Sequence, residues 1–182
     1  MTFGVLGSRV GDAKRAEFFT WFHLEETERV AQGALTNLKF RPTSEQFHDL
    51  VAVEMLVDKN EQLQSVTLSI QRAFIDHRQQ FTFAADITKS FLVAALDRKD
   101  IEMIGEAAMQ IRRYHPTISE MVTVSSRAPS RPPLAPGEGE TEFLVYAGKR
   151  RTVERKLKTA HLTMANGPVN GEQFLRITII HK

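Results

Sequence analysis

The chain has 182 residues, of which 42% are apolar and 25% charged, with a formal net charge of +2 and no cysteine. That size and composition predict one domain, or a domain with a small appendage, able to bury a core without disulfides or a metal. The absence of cysteine excludes disulfide scaffolds, thiolate zinc sites, iron–sulfur clusters and cysteine nucleophiles.

No stretch reaches the roughly 18 apolar residues of a membrane helix, and Arg9, Asp12, Lys14 and Arg15 interrupt the start in a way a signal peptide does not tolerate. The expectation is a soluble, cytoplasmic protein without a membrane partner. Charge is distributed unevenly. Residues 1–116 carry a net −2, residues 117–140 a net −1 and residues 141–182 a net +5. Such asymmetry suggests a division of labour between the two ends.

Gly4, Gly7 and Gly11 precede the first predicted helix. A phosphate-binding loop needs a Gly-Lys-Ser/Thr ending, which is missing, so a flexible N-terminal arm is expected. Asp12 is a plausible N-cap for a helix over about 13–38, whose early part (Phe18, Phe19, Trp21, Phe22, Leu24) is apolar nearly all round. Arg41-Pro42 ends it, because the residue before proline avoids helical geometry. Thr43 or Ser44 then caps a second helix with Phe47, Leu50, Val51, Glu54 and Val57 on one face. Asp58-Lys59-Asn60 breaks it.

Beyond the break, Leu63, Val66, Ile70 and Phe74 follow helical spacing. Val66 to Ile70 also alternates as a strand does, but the length of the pattern favours helix. A third helical region starts at Asp86, bends at "LDRKD" and ends at His115-Pro116.

Four of the seven prolines fall in residues 129–136, followed by Gly137 and Gly139. This composition predicts an extended connection over 117–140, with a strand over 118–125 at its start. Its PxxP spacings, Pro129/Pro132 and Pro133/Pro136, lack the basic residue that polyproline ligands carry. Both "TEFLVYAG" and "EQFLRITIIHK" read as strands. Residues 151–165 fit either a helix or a strand. Antiparallel pairing is preferred, with turns at Ala147-Gly148-Lys149 and Asn166-Gly167. The fold class expected is therefore α+β: an N-terminal helical bundle-like domain over 1–116, a Pro-rich connection, and a small basic antiparallel β-rich module over 141–182.

Several residue pairs are candidates for chemistry. Glu45 and His48 have the spacing of a carboxylate-bridged metal site but lack the second copy such sites need. His23 with Glu26, and Asp76 with His77, have no further ligands. Asp97 and Asp100 sit at a helix joint, where capping is the simpler role. No metal or other cofactor is expected.

Arg72-Ala73-Phe74-Ile75-Asp76-His77 resembles the arginine–histidine motif of HEPN-type ribonucleases. The resemblance covers six residues. It implies metal-independent RNA cleavage in an all-helical domain, with His77 handling protons and Arg72 stabilising phosphate charge. Ala73 departs from the polar residue usual after that arginine, and a helix puts positions five apart about 140° from each other.

The densest charge lies in 149–158, where Lys149, Arg150, Arg151, Arg155, Lys156 and Lys158 accompany a single acid, Glu154. On a helix, Arg151, Arg155 and Lys158 would share a face. On a hairpin, the same charges would line the turn and the solvent side. Cations at this density can neutralise phosphates or meet an acidic protein. They can also guard a strand edge against aggregation. No aromatic lies among them to stack on bases. The leading expectation is a non-catalytic binding or assembly protein, with homo-oligomer formation as one form of assembly, whose basic module contacts nucleic acid or an acidic partner. The alternatives are the ribonuclease on Arg72 and His77, and a purely structural protein-interaction subunit.

Overall fold

A computed structural model describes residues 4–77, 79–109 and 140–182. The first of these are docked. Val5 N–H donates to the Ala94 carbonyl, and Gly7 and Leu63 are joined through the Gly7 N–H, while the Leu63 N–H returns to Ser8. The expected flexible arm is thus corrected to a packed segment, with Val5 buried. Two short helices follow, α1 (Val10–Ala13) and α2 (Glu17–Trp21).

The single long helix expected over 13–38 is overturned. The chain turns at His23, at φ 46°, and enters a hairpin of β1 (Leu24–Gln32) and β2 (Leu35–Pro42). Gly33 makes the two-residue connection possible, because its φ of 63° suits a residue without a Cβ. Leu24 to Gln32 contains several good helix formers, but helix propensity is a weak term. Pairing along the β1–β2 register overrides it here.

After α3 (Glu45–His48), the second expected helix is replaced by a second hairpin, β3 (Val51–Val57) and β4 (Leu63–Gln71). The expected break at Asp58 is real, but as a hairpin loop. The Asp58 carboxylate accepts the N–H groups of Asn60 (2.8 Å) and Gln62 (3.0 Å).

Helices occupy the middle of the chain: α4 (Arg72–Asp76), α5 (Phe81–Ala95) and α6 (Arg98–Met109). The joint at Asp97 behaves as a cap, its carboxylate accepting the Asp100 N–H at 2.7 Å. The expected linker, its PxxP spacings and the strand over 118–125 lie outside the described residues. The chain resumes with α7 (Glu140–Tyr146), a helix where a strand was expected. A meander of β5 (Thr152–Lys156), β6 (Ala160–Val169) and β7 (Glu172–His181) completes it.

The seven strands form one antiparallel sheet in the order β1-β2-β3-β4-β7-β6-β5. β4 pairs with β7 from Ser65↔Ile180 to Gln71↔Phe174, so the two ends of the chain meet in the middle of the sheet. This corrects the expected helical bundle followed by a small β module. The register puts Leu38, Met55, Val66, Ile179 and Leu162 in one row across five strands, all of them buried. Each such side chain contributes about 1.5–3 kcal/mol by leaving water. The aromatic residues of the helices pack on this face. Phe19 meets Phe40 edge-on at 5.4 Å, and Phe18 meets Phe91 at 5.7 Å.

The turn chemistry differs from expectation in one instructive place. Asn166-Gly167 lies inside β6, opposite Leu175 and Phe174. The β6–β7 turn is Asn170-Gly171 instead. Both residues have positive φ, 50° and 88°, as a type I′ hairpin requires.

Candidate binding edge

β5 is one of the two outermost strands of the sheet. It is short because the sequence gives it only two core-facing positions, Val153 and Arg155, before Leu157 closes the hairpin. Asn166 N–H donates to the Arg151 carbonyl (2.8 Å), and Leu157 N–H donates to the Ala160 carbonyl (2.9 Å). In an antiparallel ladder the inward-bonding residues alternate. Residues 151, 153, 155 and 157 therefore face β6. The backbone N–H and C=O groups of Thr152, Glu154 and Lys156 point outward, where no strand pairs with them among the described residues.

The six candidate cations do not act alike. Lys149, Arg150 and Arg151 are exposed in the turn between α7 and β5, and Lys156 and Lys158 are exposed at the far end of the strand. Arg155 points the other way, into the helical layer. Its Nε donates to Glu142 Oε1 at 2.6 Å and its Nη2 to Oε2 at 3.4 Å, and Glu142 is only 1% exposed. A buried carboxylate needs such a forked partner. Arg155 thus anchors α7 to the sheet. The face that Arg151, Arg155 and Lys158 would share on a helix does not form, because the segment is a strand, as preferred. The two exposed clusters are separated by about 20 Å of strand. This exceeds the Debye length of about 8 Å at physiological salt, so each cluster acts largely alone.

The basic turn has a rigid support. Gly148, at φ 74°, ends α7, and the N–H groups of Lys149 and Arg150 both return to the Leu144 carbonyl. Arg72 is buried beneath it. Its Nη1 donates to the Tyr146 carbonyl (2.6 Å) and reaches Asn166 Oδ1 (3.4 Å), while its Nη2 is paired with Asp76. A Cβ on Gly148 would approach Arg72 Nη2 to 2.9 Å, so the glycine also makes room for this guanidinium. Asn166 Nδ2 donates to the carbonyls of Val145 (2.7 Å) and Arg150 (3.0 Å). Tyr146 is fully buried, donates its hydroxyl to the Phe81 carbonyl at 2.7 Å, and has its phenol pKa raised by that burial. These bonds fix the backbone from Val145 to Arg151 that displays the three cations.

The far turn is fixed from beneath as well. Asp100 is wholly buried at the start of α6. Its carboxylate accepts the N–H groups of Lys158 (2.6 Å) and Thr159 (3.1 Å) together with the Thr159 hydroxyl. Two buried side chains, Arg72 and Asp100, thus hold the two ends of β5. Sequence reasoning assigned neither this role. The signal available was limited to Asp100 at a helix start, since its partners lie 58 residues or more away.

Arg72 and His77 are not brought together as a catalytic pair. The Arg72 guanidinium is committed to Asp76, Tyr146 and Asn166, and His77 is exposed. The all-helical setting that the ribonuclease resemblance implies is replaced by a sheet. The other pairs are dispersed too. Glu45 and His48 are exposed, with His48 Nδ1 3.1 Å from Asp49. Glu26 is engaged by Lys14 (2.8 Å) and Arg29 (2.8 Å) rather than by His23. Among the described residues no three metal-ligating side chains cluster, and no helix is long and apolar enough to cross a membrane. The chain matches no protein family, no curated protein and no solved structure, so its site is defined by its own geometry: an open strand edge with cations fixed at both ends.

Proposed function

We propose that this is a non-catalytic binding protein whose β5 edge takes an acidic, extended polypeptide segment as an eighth strand. One observation carries the reading. The outward backbone groups of Thr152, Glu154 and Lys156 form a ladder unpaired among the described residues, bracketed by Lys149, Arg150 and Arg151 at one end and by Lys156 and Lys158 at the other. Main-chain bonds supply affinity in strand addition, and side chains supply selectivity. Carboxylates at both ends of a short extended segment would meet both clusters. A nucleic acid could use the cations but has no amide ladder to match the strand.

The test separates the two partners. A labelled peptide with paired glutamates flanking a Val/Thr centre is titrated by fluorescence anisotropy, beside a duplex RNA of similar charge. Glu154→Pro removes an outward N–H without breaking a bond to β6, and proline is tolerated on such an edge. It also removes the one acidic residue of the stretch. Strand addition is expected to weaken at least about tenfold in this variant, equivalent to about 1.4 kcal/mol, whereas purely electrostatic binding is expected to hold or improve. Peptide binding undiminished by Glu154→Pro contradicts the proposal, as does a preference for duplex RNA that the substitution leaves intact.

A further inference from the structure

The helical layer contains a second concave surface, remote in the sheet order from β5. Between α2, which packs beside β1, and α5 lies a cleft of about 580 Å³, within the range of small-molecule sites. Glu17 and Trp21 are one helical turn apart and share a face of α2. Asp86, Lys89, Ser90 and Val93 follow i, i+3, i+4, i+7 spacing, which places them on a single face of α5. All six line the cleft.

Trp21 is the only tryptophan of the chain and is 57% exposed. Its ring is braced by Phe22 at 4.9 Å, so one wall of the cleft is a supported indole that is open to solvent. An indole face attracts cations. Carboxylates come from both helices, Glu17 on α2 and Asp86 on α5, and the one ammonium, Lys89, comes from α5. The apolar component is Phe18, Val93 and Ala94 with the indole.

We infer that this cleft binds a small zwitterion. Its guanidinium or ammonium group lies against Trp21 beside Glu17, and its carboxylate meets Lys89. The assignment is independent of the β5 proposal, since it uses neither the same strand nor the same charge sign. A free amino acid with a basic side chain has this chemistry, and so does a basic side chain within a peptide. The Lys89 contact distinguishes them, because a peptide-embedded residue lacks the free carboxylate.

Trp21 reports its own site. Arginine, agmatine (the same cation without the carboxylate) and N-acetylarginine amide are titrated into the full chain by intrinsic fluorescence and by calorimetry. Arginine is expected to give a saturable change, and the other two to bind more weakly by roughly fivefold. Glu17→Gln, at an exposed position, is expected to weaken all three cations by a similar factor with an unchanged thermal melt. Lys89→Met is expected to erase the advantage of arginine over agmatine. No saturable signal with arginine up to about 10 mM in either method overturns the inference. So does equal binding by Glu17→Gln and the wild type. Equal affinity for arginine and the amide would remove the zwitterion in favour of a peptide-borne cation, and so overturn the assignment as stated.

Discussion

Asp100 illustrates how much a single short side chain can organise. A buried carboxylate that accepts two backbone N–H groups and a hydroxyl replaces hydration that those groups lose on folding. Asp100→Ala removes the acceptor of these part-buried donors, and each donor left unpaired costs up to about 1–3 kcal/mol. The expected loss is about 3 kcal/mol, a fall in Tm of roughly 10 °C for a chain of this size. A melt within about 2 °C of the wild type contradicts the clamp.

Glu26 offers a second residue-level test. The hydrogen bond from Arg29 and, after it, the Lys14 ammonium hold its carboxyl down at about 2, against a partial burial that opposes them. A lowered folded-state pKa gives a stability contribution that is full above the ordinary value near 4.5 and lost as pH falls towards about 2. The stability difference between wild type and Glu26→Gln is therefore expected to shrink across that acid window. Because Arg29 is half exposed, the difference is also expected to shrink in high salt. A difference that stays constant from pH 5 to about 2 contradicts the assignment.

At the scale of elements, what the sequence disclosed depended on which signal was strongest locally. Helix beyond Asp86 was legible, since Ile87, Phe91, Ala94 and Ala95 form a stripe that tertiary structure had no reason to override, but α5 begins at Phe81 and Asp86 lies inside it rather than capping it. β7 was legible as a strand from the alternation of Leu175, Ile177 and Ile179, all now buried, but its pairing with β4 was not. The hairpin of β1 and β2 was not. Leu24–Gln32 is exposed along almost its whole length, so it carries no apolar alternation, and its helix-forming residues point to the wrong period. β3 and β4 failed for another reason. Both faces of β4 are largely buried, with Ser65, Thr67 and Ser69 as well as Val66, Leu68 and Ile70, and an inward run of that kind is read as helix as easily as strand. The basic stretch was visible in the sequence. Its geometry was hidden, because the contact that turns Arg155 inward is made by Glu142 on a preceding helix.

For the whole molecule, the sheet order has a consequence for charge. Its two free edges differ in sign: β1 carries Glu25, Glu26 and Glu28 with Arg29, and the surroundings of β5 are basic. Like edges of two copies repel, which disfavours β1–β1 and β5–β5 pairing, whereas the unlike edges attract. The same arrangement leaves β5 receptive to an acidic segment. Arg72 and Asp100 hold its ends rigid, so little ordering is needed on binding and less affinity is lost to it. The account stands on whether the outward ladder of β5 is used. Amide hydrogen exchange, followed residue by residue with and without the acidic peptide, measures this directly. Strand addition is expected to slow exchange at Thr152, Glu154 and Lys156, while the β6-bonded amides of Val153 and Arg155 change little. A bound peptide that leaves the amides of Thr152, Glu154 and Lys156 exchanging as in the free protein would contradict it.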